Sequence, residues 1–482
     1  MMEYPLLDVS EPNLLKDIFP YALPPLLRFE GRISEIVDGE EVTFDPGEVV
    51  TRDIHITDTT FRDGQQARPP YSVQQIRDIY GMLSQLGGDR GVIRQTEFFL
   101  YTKKDRAAVD ACLKLGCEFP RVTGWIRATL GDFMLVKEMN LKETGVLTSC
   151  SDYHIFYKQG QTRKEAFEQY VKTVDAALEQ GIRPRCHLED ITRADLKGFV
   201  LPFIQRLERI SEGQPEHLKV KYRLCDTMGF GVPFPGVAEP RSIPKLIWRI
   251  RKECDVPGRR LEWHGHNDFH RVLVNGVSAW IYGVDALNAT LFGFGERTGN
   301  PPLEGALVEY VSLKRTLDGI RLPLVNDIVR YYERKVGAII PPNYPFVGRD
   351  FATTRAGIHA AGLRRNEEIY NIFDTALLLG RPPKVAITDK SGTDGIALWV
   401  NDFFGLKGEK RLTLTKVARI QRWVMDQYEK EGRLTAISEE ELEEQVRLHF
   451  PDLYRKKKGG GSPCSSRRKG GILDAGGNQG KL

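Results

Sequence analysis

From residue 54 the chain alternates between short β-branched or apolar runs and longer stretches of helical period. The runs fall at 54–60, 92–100, 121–127, 144–149, 183–189, 220–227, 261–268 and 286–294. Their length, their Val, Ile, Thr and aromatic content and the turn residues around them predict strands. Between them apolar residues recur at helical spacing, as at 73–86, 106–115, 164–180, 243–253 and 272–282. Eight strands alternating with helices fit a closed parallel (β/α)8 barrel, the TIM-barrel form of the α/β class. An open doubly wound sheet carries a Gly-rich turn after its first strand. Here the first strand runs into Asp58-Thr59-Thr60-Phe61-Arg62-Asp63-Gly64, which is charged. The pattern predicts a catalytic barrel at 51–320.

Outside that span the rhythm changes. Residues 1–50 are rich in Pro, Leu and acidic residues without a clean period and are expected to pack as an N-terminal extension. Beyond 320 the pattern is helix-rich, with helices predicted at 330–336, 367–379, 414–431 and 439–449 and a linker at Pro341-Pro342-Asn343-Tyr344-Pro345. These define C-terminal helical subdomains over 321–454. From 455 to 482 Gly, Ser and basic residues dominate, a composition that cannot bury enough apolar surface to fold.

Composition changes this picture little. Over 482 residues, 41% hydrophobic and 28% charged describe a globular protein with a sizeable core. The tail's seven bases at 455–458 and 467–469 exceed the net charge of +4, so the remainder carries −3 and gives no reason to expect nucleic acid as a partner. No run of 18 apolar residues and no charged-then-apolar N-terminus occurs, so neither a membrane span nor a secretory signal is expected. Seven dispersed cysteines read as reduced thiols in a cytoplasm.

The candidate chemistry lies where the strands end. In a parallel barrel those ends form the catalytic mouth. Here they carry Arg62 and Asp63, Glu97, Arg127, His154, then Arg185, His187 and Glu189, then Asp226 and Thr227, and finally His264 and His266. His264 and His266 share one strand face and can bind a divalent metal if a carboxylate arrives from elsewhere. An H-x-H pair alone also suits two hydrogen-bonded strand histidines. Polar residues at strand after strand, all facing one mouth, favour a site.

Three segments carry a resemblance. Asp58-Thr59-Thr60-Phe61-Arg62-Asp63-Gly64-Gln65-Gln66 matches a D-T-T-x-R-D-G-x-Q signature, His264-Gly265-His266-Asn267-Asp268 an H-x-H-N-D segment, and residues 293–300 a G-x-G-E-R-T-G-N segment. In strand order and position they resemble the 2-isopropylmalate synthase/homocitrate synthase family, metal-dependent barrels that condense acetyl-CoA with a 2-oxo acid. Within it the chain is most similar to the citrate-forming branch. The resemblance implies that Asp63, His264 and His266 hold a divalent cation (Mg²⁺, Mn²⁺ or Zn²⁺), with Asn300 on or beside it. Arg62 is implied to steady the enolate oxygen, Glu189 to act in catalysis and Thr227 to hold the oxo acid's carboxylate. His359, in Gly357-Ile358-His359, is implied to enter a partner subunit's active site, which requires a homodimer or higher oligomer. Two departures stand out: Gln65 replaces a common Glu, and His187-Leu188-Glu189-Asp190 replaces a Ser-Pro-Glu-Asp or Ser-Ser-Glu-Asp run.

One carboxylate and two neutral imidazoles leave a cation open positions for a chelating 2-oxo acid, whose carbonyl it polarises. Glu189 and His359 are both candidates for the base that deprotonates the acetyl methyl group. Glu97 and His154 are candidate substrate contacts or supports for the groups around them. Arg185 shares a strand face with His187 and Glu189, and family members using 2-oxoglutarate resemble this chain in placing arginine there. A guanidinium fork suits a distal carboxylate. The expected substrates are therefore acetyl-CoA and a dicarboxylic 2-oxo acid, oxaloacetate ahead of 2-oxoglutarate. Homocitrate or 2-isopropylmalate synthesis are the alternatives. Hydroxyacyl-CoA cleavage is a further one, disfavoured because residues 293–300 contain no cysteine.

Overall fold

A computed structural model describes residues 4–406 and 408–455, so the tail from 456 onward lies outside the described residues. The chain divides into two compact units. The first takes in the described residues to Arg349 together with Leu378–Gly380, and the second the remainder from Asp350.

A hairpin opens the first unit: β1 (Ile33–Val37) and β2 (Glu40–Phe44) pair antiparallel. The extension was expected to have no period, yet Asp38 and Gly39 adopt φ of 51° and 88°, the left-handed pair that an Asp-Gly hairpin turn requires. Arg249, its side chain 1% exposed, grips Asp38 at 2.9 Å and ties the hairpin to the barrel.

The barrel strands are β3 (His55–Asp58), β4 (Ile93–Phe99), β5 (Arg121–Arg127), β6 (Glu143–Ser149), β7 (Arg183–Glu189), β8 (Lys221–Asp226), β9 (Leu261–Gly265) and β10 (Ala286–Ala289). They run parallel in chain order, and β10 pairs back onto β3 to close the sheet. Around them lie α1 (Val73–Gly87), α2 (Lys103–Leu113), α3 (Leu130–Glu138), α4 (Arg163–Glu179), α5 (Leu201–Ile210), α6 (Ile243–Glu253), α7 (Val272–Tyr282) and α8 (Leu303–Lys314). Ser72, Thr102 and Thr162 start α1, α2 and α4 with reciprocal capping boxes, which satisfy amides that the first turn leaves without partners.

Strand alternation sorts the side chains. On β7, Cys186 and Leu188 are fully buried beneath the helices, while Arg185, His187 and Glu189 point into the barrel. The interior departs from the usual layers of branched apolar residues. Three cations, Arg185, Lys221 and Arg223, interlock there with three carboxylates, Glu97, Glu143 and Glu262. Burial alone raises a carboxyl pKa, but Lys221 and Arg185 outweigh it at Glu143 and bring it down to about 2. These charges balance.

Several sequence-based boundaries shift, and two elements are redrawn. The last strand, predicted to 294, stops at Ala289 because the chain turns through Leu291–Gly293, with Phe292 at φ 57°. The helix predicted at 367–379 is a 3-10 turn, Glu367–Ile369, and a separate short helix, Thr375–Leu379. Asp374 accepts the Leu377 amide at 2.8 Å and starts that helix afresh.

In the second unit helices Gly357–Arg365, Gly392–Phe403, Leu414–Glu429 and Glu439–His449 enclose a core that includes Ala360, Ile396, Val417, Ile420 and Val446. Among the described residues, no helix is long and apolar enough to cross a membrane.

Candidate active site

β3 and β9 flank β10 in the barrel, and the segment after β3 brings Asp63 to the two histidines at the end of β9. Asp63 Oδ2 lies 3.3 Å from His264 Nε2 and 3.3 Å from His266 Nε2, with all three residues buried. Their ligand atoms all lie within 4.8 Å of one another. The rest of each ring fixes what Nε2 can do. His266 Nδ1 sits 2.8 Å from the Thr227 carbonyl, which only accepts, so Nδ1 carries the proton. His264 Nδ1 faces Asn288 Oδ1 at 2.7 Å, and burial pulls its pKa down to about 3, so the ring is neutral. The His264 Nε2 therefore turns its lone pair toward a carboxylate. Burial opposes ionisation of Asp63, but Arg62, together with His266 and His264, outweighs it and holds the carboxyl well below its usual range. A lone pair and an anion facing each other repel unless a cation sits between them. The donor set fits a divalent metal.

Asn300 adds a fourth group. Its Nδ2 donates to Asp63 Oδ2 at 3.1 Å and to the Gly265 carbonyl at 3.2 Å, while its buried Oδ1 has no hydrogen-bond partner. The neighbouring glycine is required for this arrangement, since a Cβ on Gly295 would lie 1.8 Å from that Oδ1. Arg62 closes the cluster, with Nε 3.0 Å from Glu97 Oε2 and the guanidinium 5.6 Å from the Trp125 ring centroid.

A second cluster stands where β6 and β7 end. Glu189 accepts from Ser149, from Lys158 Nζ at 2.9 Å and from His154 Nδ1 at 2.9 Å. Burial would raise its pKa, but His154 and Lys158 outweigh that and hold it at about 2. Thr227 links the clusters: its Oγ1 accepts the Asp190 amide at 2.8 Å, and its carbonyl accepts from His266 and Arg297. His359 lies on the second unit's helix Gly357–Arg365. Its ring centroid is 4.3 Å from that of Tyr370, beside a cavity of about 160 Å³ also lined by Phe351, Thr353 and Thr354.

Two expected substrate contacts already have partners inside the barrel. Arg185 has no hand free for a substrate. Its side chain is 1% exposed, Nη1 donates to Gln95 and Glu143 at 2.9 Å, Nη2 donates to Glu97 at 2.7 Å and Thr123 at 3.2 Å, and Nε lies 3.3 Å from Glu262. Glu97 is equally spent, between Arg62, Arg185, Arg223 and His187. Period-two geometry put Arg185 on the correct face but could not show that three carboxylates share that layer. Trp125 donates to His187 Nδ1 at 3.2 Å, which leaves His187 Nε2–H for Glu97 at 3.3 Å. The ring takes the room left by Gly145, where a Cβ would come within 2.5 Å of His187 Nε2.

Sequence reasoning also passed over Asn288, Lys158 and Arg297. Lys158 follows His154 by one helical turn, a legible spacing. Asn288 gave only a parity signal on a short strand.

The family model described as HMGL-like matches residues 53–327, more than half of the chain. The chain belongs to the HMGL-like family. It is 52% identical over 453 residues to a citrate (Re)-synthase of Syntrophus aciditrophicus, covering 94% of this chain and 70% of that protein. It is 47% identical over 456 residues to a citrate (Re)-synthase of Clostridium kluyveri, covering 94% and 97%. A 2-phosphinomethylmalate synthase of Streptomyces hygroscopicus is 37% identical over 445 residues, covering 92% and 97%. The HMGL-like match contains both strand-end clusters, from Arg62 to Asn300.

Proposed function

We propose that this protein is an acyl-CoA-condensing synthase that joins acetyl-CoA to oxaloacetate and releases citrate, with the stereochemistry of a citrate (Re)-synthase. One observation carries the reading. The imidazoles of His264 and His266 and the carboxylate of Asp63 converge in a chain that resembles two citrate (Re)-synthases over almost its whole length. A divalent cation held there supplies Lewis-acid polarisation of the 2-oxo group. Two imidazoles beside one carboxylate favour Mn²⁺ or Zn²⁺ over Mg²⁺.

The other groups take roles from their partners. Arg62 stands rigid between Glu97 and Trp125 and offsets negative charge on the enolate oxygen. Thr227 orients the oxo acid's carboxylate at the junction of the clusters. Glu189, held at about 2, is a weak proton acceptor and serves as a fixed anion. The base is then His359, brought by a partner subunit in a homodimer. With Arg185 committed to the barrel, Lys158 is the cation for the distal carboxylate: it meets Glu189 and still exposes 48% of its side chain.

The test measures CoA release from acetyl-CoA with oxaloacetate, 2-oxoglutarate and 2-oxoisovalerate in turn, with labelled acetyl-CoA to locate the new carboxymethyl arm of citrate. Turnover on 2-oxoisovalerate alone, or label in the arm opposite to that of Re-face attack, refutes the reading. Mixing inactive His359→Ala and Asp63→Asn proteins should restore part of the activity if His359 acts across subunits.

A further inference from the structure

Beneath the metal cluster a single chain of hydrogen bonds runs from His264 to the charged floor of the barrel. His264 Nδ1 lies 2.7 Å from Asn288 Oδ1, Asn288 Nδ2 lies 2.9 Å from Thr57 Oγ1, and the Thr57 hydroxyl meets Glu262 Oε1. Arg223 holds Glu262 at 2.8 Å and 3.0 Å. All four members of the chain are buried, Asn288 and Thr57 at 0% and 2% exposure. Register explains the alignment: Asn288 pairs with Thr57 across β10 and β3, and Glu262 precedes His264 by two residues on the same face of β9.

The direction of every bond follows from its last member. A carboxylate fixed by a guanidinium can only accept, so Thr57 Oγ1–H points to Glu262. The Thr57 oxygen then offers Asn288 a lone pair, which only the amide NH2 can use. That turns the Asn288 carbonyl oxygen toward His264, which must carry its proton on Nδ1. The lone pair is left on Nε2, the atom that faces Asp63. We infer that Glu262, Thr57 and Asn288 form a relay that sets the tautomer and ring orientation of His264, and that Thr57 and Asn288 are positioning residues for the divalent cation. This rests on the metal reading above and deepens it.

The test is cation affinity, read by chelator competition with Mn²⁺ or Co²⁺, together with the visible spectrum of the Co²⁺-loaded protein. Thr57→Val keeps the shape and removes both hydrogen-bonding functions, while Thr57→Ser keeps them. Removing such a supporting partner weakens cation binding by about 10- to 100-fold. Thr57→Val and Asn288→Leu should show that loss and an altered Co²⁺ spectrum, with Thr57→Ser within about threefold of the parent protein. If Thr57→Val does not fold, Asn288→Asp against Asn288→Leu decides, because aspartate keeps an acceptor for Nδ1. Equal affinity in all variants, or an equal loss in Thr57→Ser, overturns the relay. Failure of the parent protein itself to bind a divalent cation refutes the metal reading instead.

Discussion

Arg185 separates two accounts of this barrel, because a substrate ligand and a core cation respond differently to removal. The side chain sits among Glu97 at 2.7 Å, Glu143 at 2.9 Å and Glu262 at 3.3 Å. Arg185→Met keeps most of the volume and removes the charge. The layer then holds three carboxylates against Lys221 and Arg223, an imbalance of one buried charge. Breaking a buried pair by deleting one partner destabilises by about 3–5 kcal/mol. The variant should therefore unfold at markedly lower urea, followed by circular dichroism with a loading of metal fixed across samples. Adding Glu143→Gln restores two against two, and the double variant should regain about 0.5–3 kcal/mol, the range typical of coupled neighbours. Steady-state kinetics on the folded fraction should give little change in KM for oxaloacetate. An Arg185→Met protein as stable as its parent, with KM for the oxo acid raised tenfold or more, would falsify the core role and return Arg185 to the substrate.

Other expectations follow from single contacts. Lys158→Met should raise KM for oxaloacetate at least several-fold and leave KM for acetyl-CoA unchanged; an equal change in both removes its role at the distal carboxylate. Gly295→Ala would place a Cβ 1.8 Å from Asn300 Oδ1 and so displace that amide; about tenfold or greater loss of cation affinity is expected, with unaltered affinity the contrary result. Glu304 is buried, its Oε1 lacks a partner, and burial lifts its carboxyl from 4.5 to about 7. The stability this raised group contributes is complete below 4.5 and is lost as pH rises through about 7. Glu304→Gln should therefore be more stable than the parent by up to about 3 kcal/mol at pH 8, a gain that vanishes in acid. Thermal melts at pH 4.5 and pH 8 check this, and a pH-independent difference would contradict it.

The barrel was legible because its evidence is local: each strand announces itself by β-branched runs and each helix by its period. The convergence of Asp63, His264 and His266 was legible for another reason, since the fold sends every strand end to one mouth. What the sequence hid depends on pairing across the sheet. Arg185 looks like a free cation until Glu143 and Glu262, from other strands, are seen beside it. Glu97 looks like a mouth residue until four partners enclose it. The hairpin at 33–44 was hidden only by its setting among prolines, although Asp38-Gly39 carried the turn signal.

The neutral link at Asn288 bears on why the floor of this barrel is charged at all. A carboxylate placed directly on His264 Nδ1 makes the imidazole a stronger donor and drains positive charge from a bound cation. Here the anion is Glu262, and Thr57 and Asn288 stand between it and the ring. Its charge is already balanced by Arg223, so it orders the hydrogen bonds without adding a second anion to the site. Asp63 remains the one carboxylate in the ligand cluster. That spacing preserves the electrophilic pull that a condensation onto a ketone requires, while the ion pairs below hold the relay in register.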